Sequence, residues 1–390
     1  MGKPTLRTKL CDILGIEYPI VLAGMGGVSR HRLVAAVSEA GGLGIIGAAT
    51  MGPDELREEI RGVRELTDRP FGVDILLPTM GSIPQTPGTA MGGPSEGDEG
   101  RVPANWRDLL PAPQRELTAD LRRKFGLADV EPELPTSGRG RPVFGPGFTR
   151  SQIDTILEEK VPVFASGLGN PAPFVDEFHA AGVKVIALVG NVKNARRVAE
   201  GGTDIVVAQG AEAGGHTGRV GTMALVPQVV DAVAPTPVLA AGGIGDGRGV
   251  AAALCLGAVG AWIGTALLVS KEAAWDDVLK QRILDATEED TRVTRIYSGK
   301  PMRNINNPLI EAWDESGVPT LAFPFQAAAI SEVTAAAQKA GRKELGMNPA
   351  GQISGMLHEQ RPAKEIVEEI VEQAAEIIHR LPAEIPAVTS

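Results

Sequence analysis

Cysteine is almost missing from this 390-residue chain, Cys11 and Cys255 being the two present. Neither sits in a CxxC or Cys/His ligand set, so a disulfide scaffold is set aside and a reducing cytoplasm fits. No stripe rich in Lys and Arg occurs, and the formal net charge is -10. Nucleic acid is thereby disfavoured as a partner, because phosphate binding needs a basic face. Apolar runs stop short of the roughly 18 to 20 residues that span a bilayer. The opening MGKPTLRTKL has no apolar core of signal-peptide length. A strand–GxGxxG–helix dinucleotide fingerprint is also missing, which disfavours a Rossmann domain. The expectation is a soluble cytoplasmic protein with a small-molecule substrate, no membrane partner and scope for a homo-oligomer.

What the chain does have is a regular alternation. Short apolar runs are followed by amphipathic stretches, the pattern of strands buried on both faces and joined by covering helices. The runs are PIVLAG (19–24), LGIIGAA (43–49), FGVDILL (71–77), VPVFAS (161–166), VKVIALV (183–189), DIVVAQ (204–209), PVLAAG (237–242) and VGAWIGT (259–265). These predict an α/β fold, a TIM (β/α)8 barrel built from residues 1–77 and 150–270. A Gly/Pro-rich insertion over 78–149 breaks the rhythm after the third strand, with a short helix expected over 113–127; it reads equally as a lid, a partner contact or a surface excursion. Trp106 in it could touch a substrate or simply pack locally. Residues 271–362 read as a mostly helical cap. A last helix and tail over 363–390 carries Ile366, Ile370, Ala374 and Ile377 on one buried stripe.

Active sites of such barrels form at the carboxyl ends of the strands, with phosphate often held after strands seven and eight. AAGGIGDGRG (240–249) follows the seventh, where Gly242, Gly243 and Gly245 can offer main-chain NH groups at a helix start; Gly264 and Thr265 follow the eighth. The same glycines could instead serve tight turns alone. AGMGGVS (23–29) leaves the first strand the same way, and Met25 suits either a flat ring or a core gap. Asp74 interrupts FGVDILL near the strand end and must be hydrogen bonded or wetted, because an unpaired buried carboxylate is costly. Of the 5 histidines, His216 in QGAEAGGHTG (209–218) has the chemical context. It follows the sixth strand and should project into the mouth, where a near-neutral pKa serves proton transfer. The competing reading is a structural histidine bonded to loop carbonyls. Glu212 could orient the imidazole or pair elsewhere.

Together PIVLAGMGGVS, VSEAGGLGIIGA, PFGVDILL, GTDIVVAQGAEAGGHTG, PVLAAGGIGDGRGVAAALCLGA, IGTALL, AGQISG and RPAKEIVEEIV resemble the nitronate monooxygenase family, formerly 2-nitropropane dioxygenases. Its relatives include FMN-dependent enoyl reductases and NADH:quinone reductases. The resemblance implies noncovalent FMN in the barrel, with Gly24 and Met25 touching the flavin ring, Asp74 near it, and Gln209 and Gly214 lining it. It implies a phosphate held by Gly215, Gly242, Gly243, Gly264 and Thr265, and His216 as the catalytic histidine. The family usually has Asn where Asp74 stands, and the long insertion is a second departure. Three activities fit: oxidation of alkyl nitronates with O2; reduction of a quinone or enoyl thioester with NAD(P)H as reductant; or, without flavin, isomerase or lyase chemistry on a phosphorylated metabolite. A noncatalytic binding role leaves the histidine without a purpose.

Overall fold

The computed structural model describes residues 5–77, 110–130, 146–323 and 325–385. All eight expected runs form strands, and they build one parallel sheet: β1 (Ile20–Leu22), β2 (Gly44–Gly47), β3 (Phe71–Leu76), β4 (Val163–Leu168), β5 (Lys184–Val189), β6 (Ile205–Gln209), β8 (Val238–Ala241) and β9 (Gly260–Ile263). Their spatial order is β1-β9-β8-β6-β5-β4-β3-β2. A parallel bridge between Val21 and Leu43 brings the two end strands together and closes the ring. The fold is a TIM barrel.

Alternation along each strand sorts side chains between two cores, because successive residues point to opposite faces. In β6, Ile205 and Val207 belong to the inner cluster, which also holds Ile45, Ile186 and Leu239. Val206 and Ala208 belong to the outer cluster beneath the helices. The helix Lys9–Leu14 adds Leu10, Cys11 and Leu14 to the inner cluster. By the same parity Asp74 and Gln209 point inward near the carboxyl ends of their strands, since Val73 and Ile75 lie in the outer cluster.

The covering helices follow from local signals. Pro53–Leu66 starts with Pro at its first turn, carries Asp54 and Glu55 against the positive end of the helix dipole, and buries Leu56, Ile60 and Val63 at helical spacing. Gly247–Cys255 is capped by Asp246, whose carboxylate accepts from the Arg248 and Gly249 NH groups. The last helix, Ala363–Glu384, buries Val367, Ile370, Val371 and Ala374.

Of the expected insertion, residues 110–130 and 146–149 are described; the Pro/Gly-rich stretch and Trp106 lie outside the described residues. The expected helix is present as Ala112–Lys124. Its Leu117 and Leu121 enter a third core with Ile310 and Trp313 of the helix Pro308–Glu315 and Ile330 and Val333 of Phe325–Lys339.

The segment after Lys271, expected to be mostly helical, carries strands between its helices: Thr291–Thr294 (β10) and Met302–Ile305 (β11) form an antiparallel hairpin, and β11 pairs with a two-residue strand, Gly215–His216 (β7). Each strand is too short for its alternation to register against the neighbouring helices. Among the described residues no helix is long and apolar enough to cross a membrane.

Candidate active site

His216 lies on β7 opposite Met302 of β11. Its strand is fixed from two sides. The Gln209 side chain donates to the His216 carbonyl at 2.7 Å. Arg303, opposite Gly215, sends Nε and Nη2 to the Ala211 carbonyl at 3.1 and 2.9 Å and Nη1 to Thr291 Oγ1 at 2.9 Å. This guanidinium is buried and acts as a clamp between hairpin and loop. The imidazole Nε2 lies 2.9 Å from Ser298 Oγ. Burial, and secondarily the Lys300 charge, push the His216 pKa down to about 4. The ring is therefore neutral near pH 7, with Nδ1 left over once Nε2 meets Ser298.

Glu212 does not orient the imidazole. Its carboxylate accepts from Thr222 N and Thr222 Oγ1 at 3.0 and 2.9 Å, so it closes the loop onto the start of the helix Thr222–Val233. The open choice between imidazole and another partner is settled by that geometry.

Across the mouth, Asp74 is buried, with Oδ1 accepting from the Gly167 NH at 2.6 Å. Its carboxyl occupies the space that neighbouring strands leave: a Cβ on Gly24 would stand 2.3 Å from the Asp74 Cβ, and one on Gly167 2.8 Å from its Oδ2. Burial raises the Asp74 pKa well above the usual range, and the Gly167 hydrogen bond offsets part of that. Gly24 and Met25 are half-exposed at the end of β1. A Cβ on Gly264 would stand 3.6 Å from the Met25 sulfur, which places Met25 beside the end of β9.

The remaining glycines converge on one corner. Gly242 and Gly243 have φ of 89° and 71°, the left-handed region glycine favours. Among the described residues the main-chain NH groups of Gly242, Gly243, Gly264 and Thr265 bond to no protein acceptor. The amides at the start of the next helix are not part of this set, because Asp246 already takes those of Arg248 and Gly249. Gly214 and Gly215 abut the segment 349–351: a Cβ on Gly214 would lie 2.7 Å from the Ala350 carbonyl carbon. Thr265 Oγ1 accepts from the Gly351 NH at 3.0 Å, and Gln352 N donates to the Glu212 carbonyl at 3.0 Å. AGQISG thus closes this corner from the carboxyl-terminal side.

Four unpaired NH groups at or beside glycines fit a phosphate. Sequence reasoning missed Ser298, Lys300 and Arg303, which come to the site on the overlooked hairpin. The turn SGKP between TRVT and MRNI is the signal that could have found them.

The sequence model of nitronate monooxygenase matches residues 7–91 and 117–373. The chain belongs to the nitronate monooxygenase family. Membership makes it a flavin-type oxidoreductase. Residues 92–116 lie between its two matched blocks, within the Gly/Pro-rich stretch that follows the third strand. A Staphylococcus aureus protein named probable nitronate monooxygenase is 36% identical over 385 residues, covering 95% of this chain and 98% of that one. A Mycobacterium tuberculosis protein with a provisional monooxygenase name is 39% identical over 386 residues, covering 96% and 98%. Among solved structures, nitroalkane oxidase from Streptomyces ansochromogenes superposes with a TM-score of 0.77 at 30% identity, covering 95% and 99%. FabK from Thermotoga maritima superposes at 0.73 with 34% identity, covering 98% and 100%.

Proposed function

We propose that this protein binds FMN noncovalently and oxidises alkyl nitronates with O2, with His216 beside the substrate. The observation that carries the reading is the neutral, half-buried imidazole held over a mouth whose corner presents unpaired NH groups. The NH groups of Gly242, Gly243, Gly264 and Thr265 would hold the phosphate; Gly24, Met25, Gln209 and Gly214 would border the ring. Gly215 is the first residue of β7, opposite Arg303 and next to His216. When bound, FMN supplies an electron acceptor that O2 reoxidises.

The histidine serves two related tasks. With the Ser298 hydroxyl donating to Nε2, Nδ1 carries the proton and donates to the oxygens of a nitronate. With Nε2–H donating to Ser298 Oγ, whose own proton turns to the Lys300 carbonyl at 3.3 Å, Nδ1 offers a lone pair that takes the α-proton of a neutral nitroalkane. Ser298 thus selects the tautomer. Gln209 and Arg303 hold the strand so that the ring keeps its place.

A second reading, NAD(P)H-dependent reduction of a quinone or enoyl thioester, is favoured by the likeness to FabK. The same NH corner serves it, and His216 would then donate a proton to the acceptor. Oxygen uptake by FMN-loaded protein supplied with ethyl nitronate tests the proposal. Uptake that His216→Ala abolishes supports it; no uptake, with NADH-driven quinone reduction instead, replaces it with the second reading.

A further inference from the structure

Among the described residues, Lys300 is a cation with no acid beside it. It ends the SGK turn between β10 and β11, and that turn is pinned on the chain beside it: Gly299 has φ 83°, and a Cβ there would lie 2.6 Å from both the Leu321 carbonyl oxygen and the Phe323 nitrogen. The side chain is half-buried and its ammonium stands 4.7 Å from the centre of the Phe323 ring. Burial lowers its pKa with no carboxylate opposing that effect. Among the described residues no acid pairs with it. A half-buried ammonium with no carboxylate partner costs stability.

Its neighbour is the catalytic candidate. Ser298 Oγ touches His216 Nε2 and also accepts from the Lys300 NH at 3.2 Å. The other charged groups near β7 are engaged elsewhere: the Arg303 guanidinium on Ala211 and Thr291, the Glu212 carboxylate on Thr222. After burial, the Lys300 charge is the second influence that lowers the His216 pKa.

We propose that Lys300 is the anion-binding residue of the substrate pocket, receiving an oxyanion of the substrate, either its nitronate oxygens or a carboxylate, beside the His216 ring. The inference rests on the proposed placement of substrate at His216. It carries a consequence: an anion on Lys300 cancels the charge that disfavours imidazolium, so His216 becomes a stronger base when the pocket is occupied.

The test is a titration of the His216 ring by NMR in FMN-loaded protein, with sodium nitrate as the oxyanion probe and sodium chloride at equal ionic strength as the control. His216→Gln identifies the resonance. Nitrate should raise the His216 pKa in the wild type and in Lys300→Arg. In Lys300→Met the pKa should start higher and stay unmoved by nitrate. An equal nitrate effect in Lys300→Met, or none in the wild type, overturns the proposal. This readout needs no turnover, so it stands apart from failure of the nitronate reading itself. Where turnover is present, Lys300→Met should raise KM roughly tenfold or more. A rise for both propionate 3-nitronate and 1-propyl nitronate puts the nitronate group on Lys300. A rise for the former alone puts its carboxylate there, and no rise for either overturns the proposal.

Discussion

The Gln209 side-chain amide donates to the main-chain carbonyl of His216 at 2.7 Å, tying the inward end of β6 to the two-residue strand that carries the imidazole. Gln209 is a positioning residue here. Gln209→Leu should lower kcat roughly tenfold, because the carbonyl loses its partner and the ring its fixed place. FMN affinity, followed by flavin fluorescence, should change far less. A loss of FMN with unchanged kcat in the loaded fraction would show that Gln209 serves the flavin alone and does not position His216.

His216→Ala should leave FMN bound and cost about 10²- to 10⁴-fold in kcat, the usual contribution of a positioned acid or base. The same histidine leaves a mark on stability. Its folded pKa of about 4 lies below the unfolded value of about 6.5, so between those limits the unfolded chain binds more protons. Stability of the wild type should therefore rise with pH across that window. His216→Gln should flatten part of that rise in denaturant titrations at pH 4.5 and pH 7; an unchanged slope would show the ring is not buried neutral.

Asp74 gives the opposite sign. Its folded pKa is raised by burial, so above about pH 3.8, where the unfolded carboxyl ionises, each further pH unit costs the folded state until its own pKa is passed. Asp74→Asn should raise Tm at pH 8 and make little difference near pH 3.5. A variant less stable than wild type at pH 8 would mean the carboxylate is ionised and held by a partner.

Arg303 clamps the hairpin through hydrogen bonds to Ala211 and Thr291. Arg303→Met should destabilise the protein by about 2 to 3 kcal/mol, since the Ala211 carbonyl is left without its charged donor. Urea unfolding measures this, and an effect below about 0.5 kcal/mol would show that the clamp is incidental.

The barrel was legible because most strands are apolar runs with a covering helix soon after, as in DIVVA followed after the loop by TMALVPQVV. The glycine corner was legible for a related reason: Gly242, Gly243 and Gly264 stand directly after strands, where position alone sends them to the mouth. What escaped was set by contacts distant in sequence. Nothing near Glu212 shows that its carboxylate will fold onto Thr222 rather than His216. The hairpin β10–β11 escaped because four residues give too few alternations, and with it went Ser298, Lys300 and Arg303. The imidazole was found from β6, whereas the groups that tune it arrive from about eighty residues further along the chain.

The most direct test of the account is an anaerobic absorbance experiment on FMN-loaded protein, mixed separately with propionate 3-nitronate and with NADH or NADPH. The account predicts that the nitronate changes the flavin band within the time of one turnover, that both pyridine nucleotides leave it unchanged, and that His216→Ala slows the response to the nitronate. Rapid bleaching by NADH or NADPH, with no response to the nitronate, would contradict it.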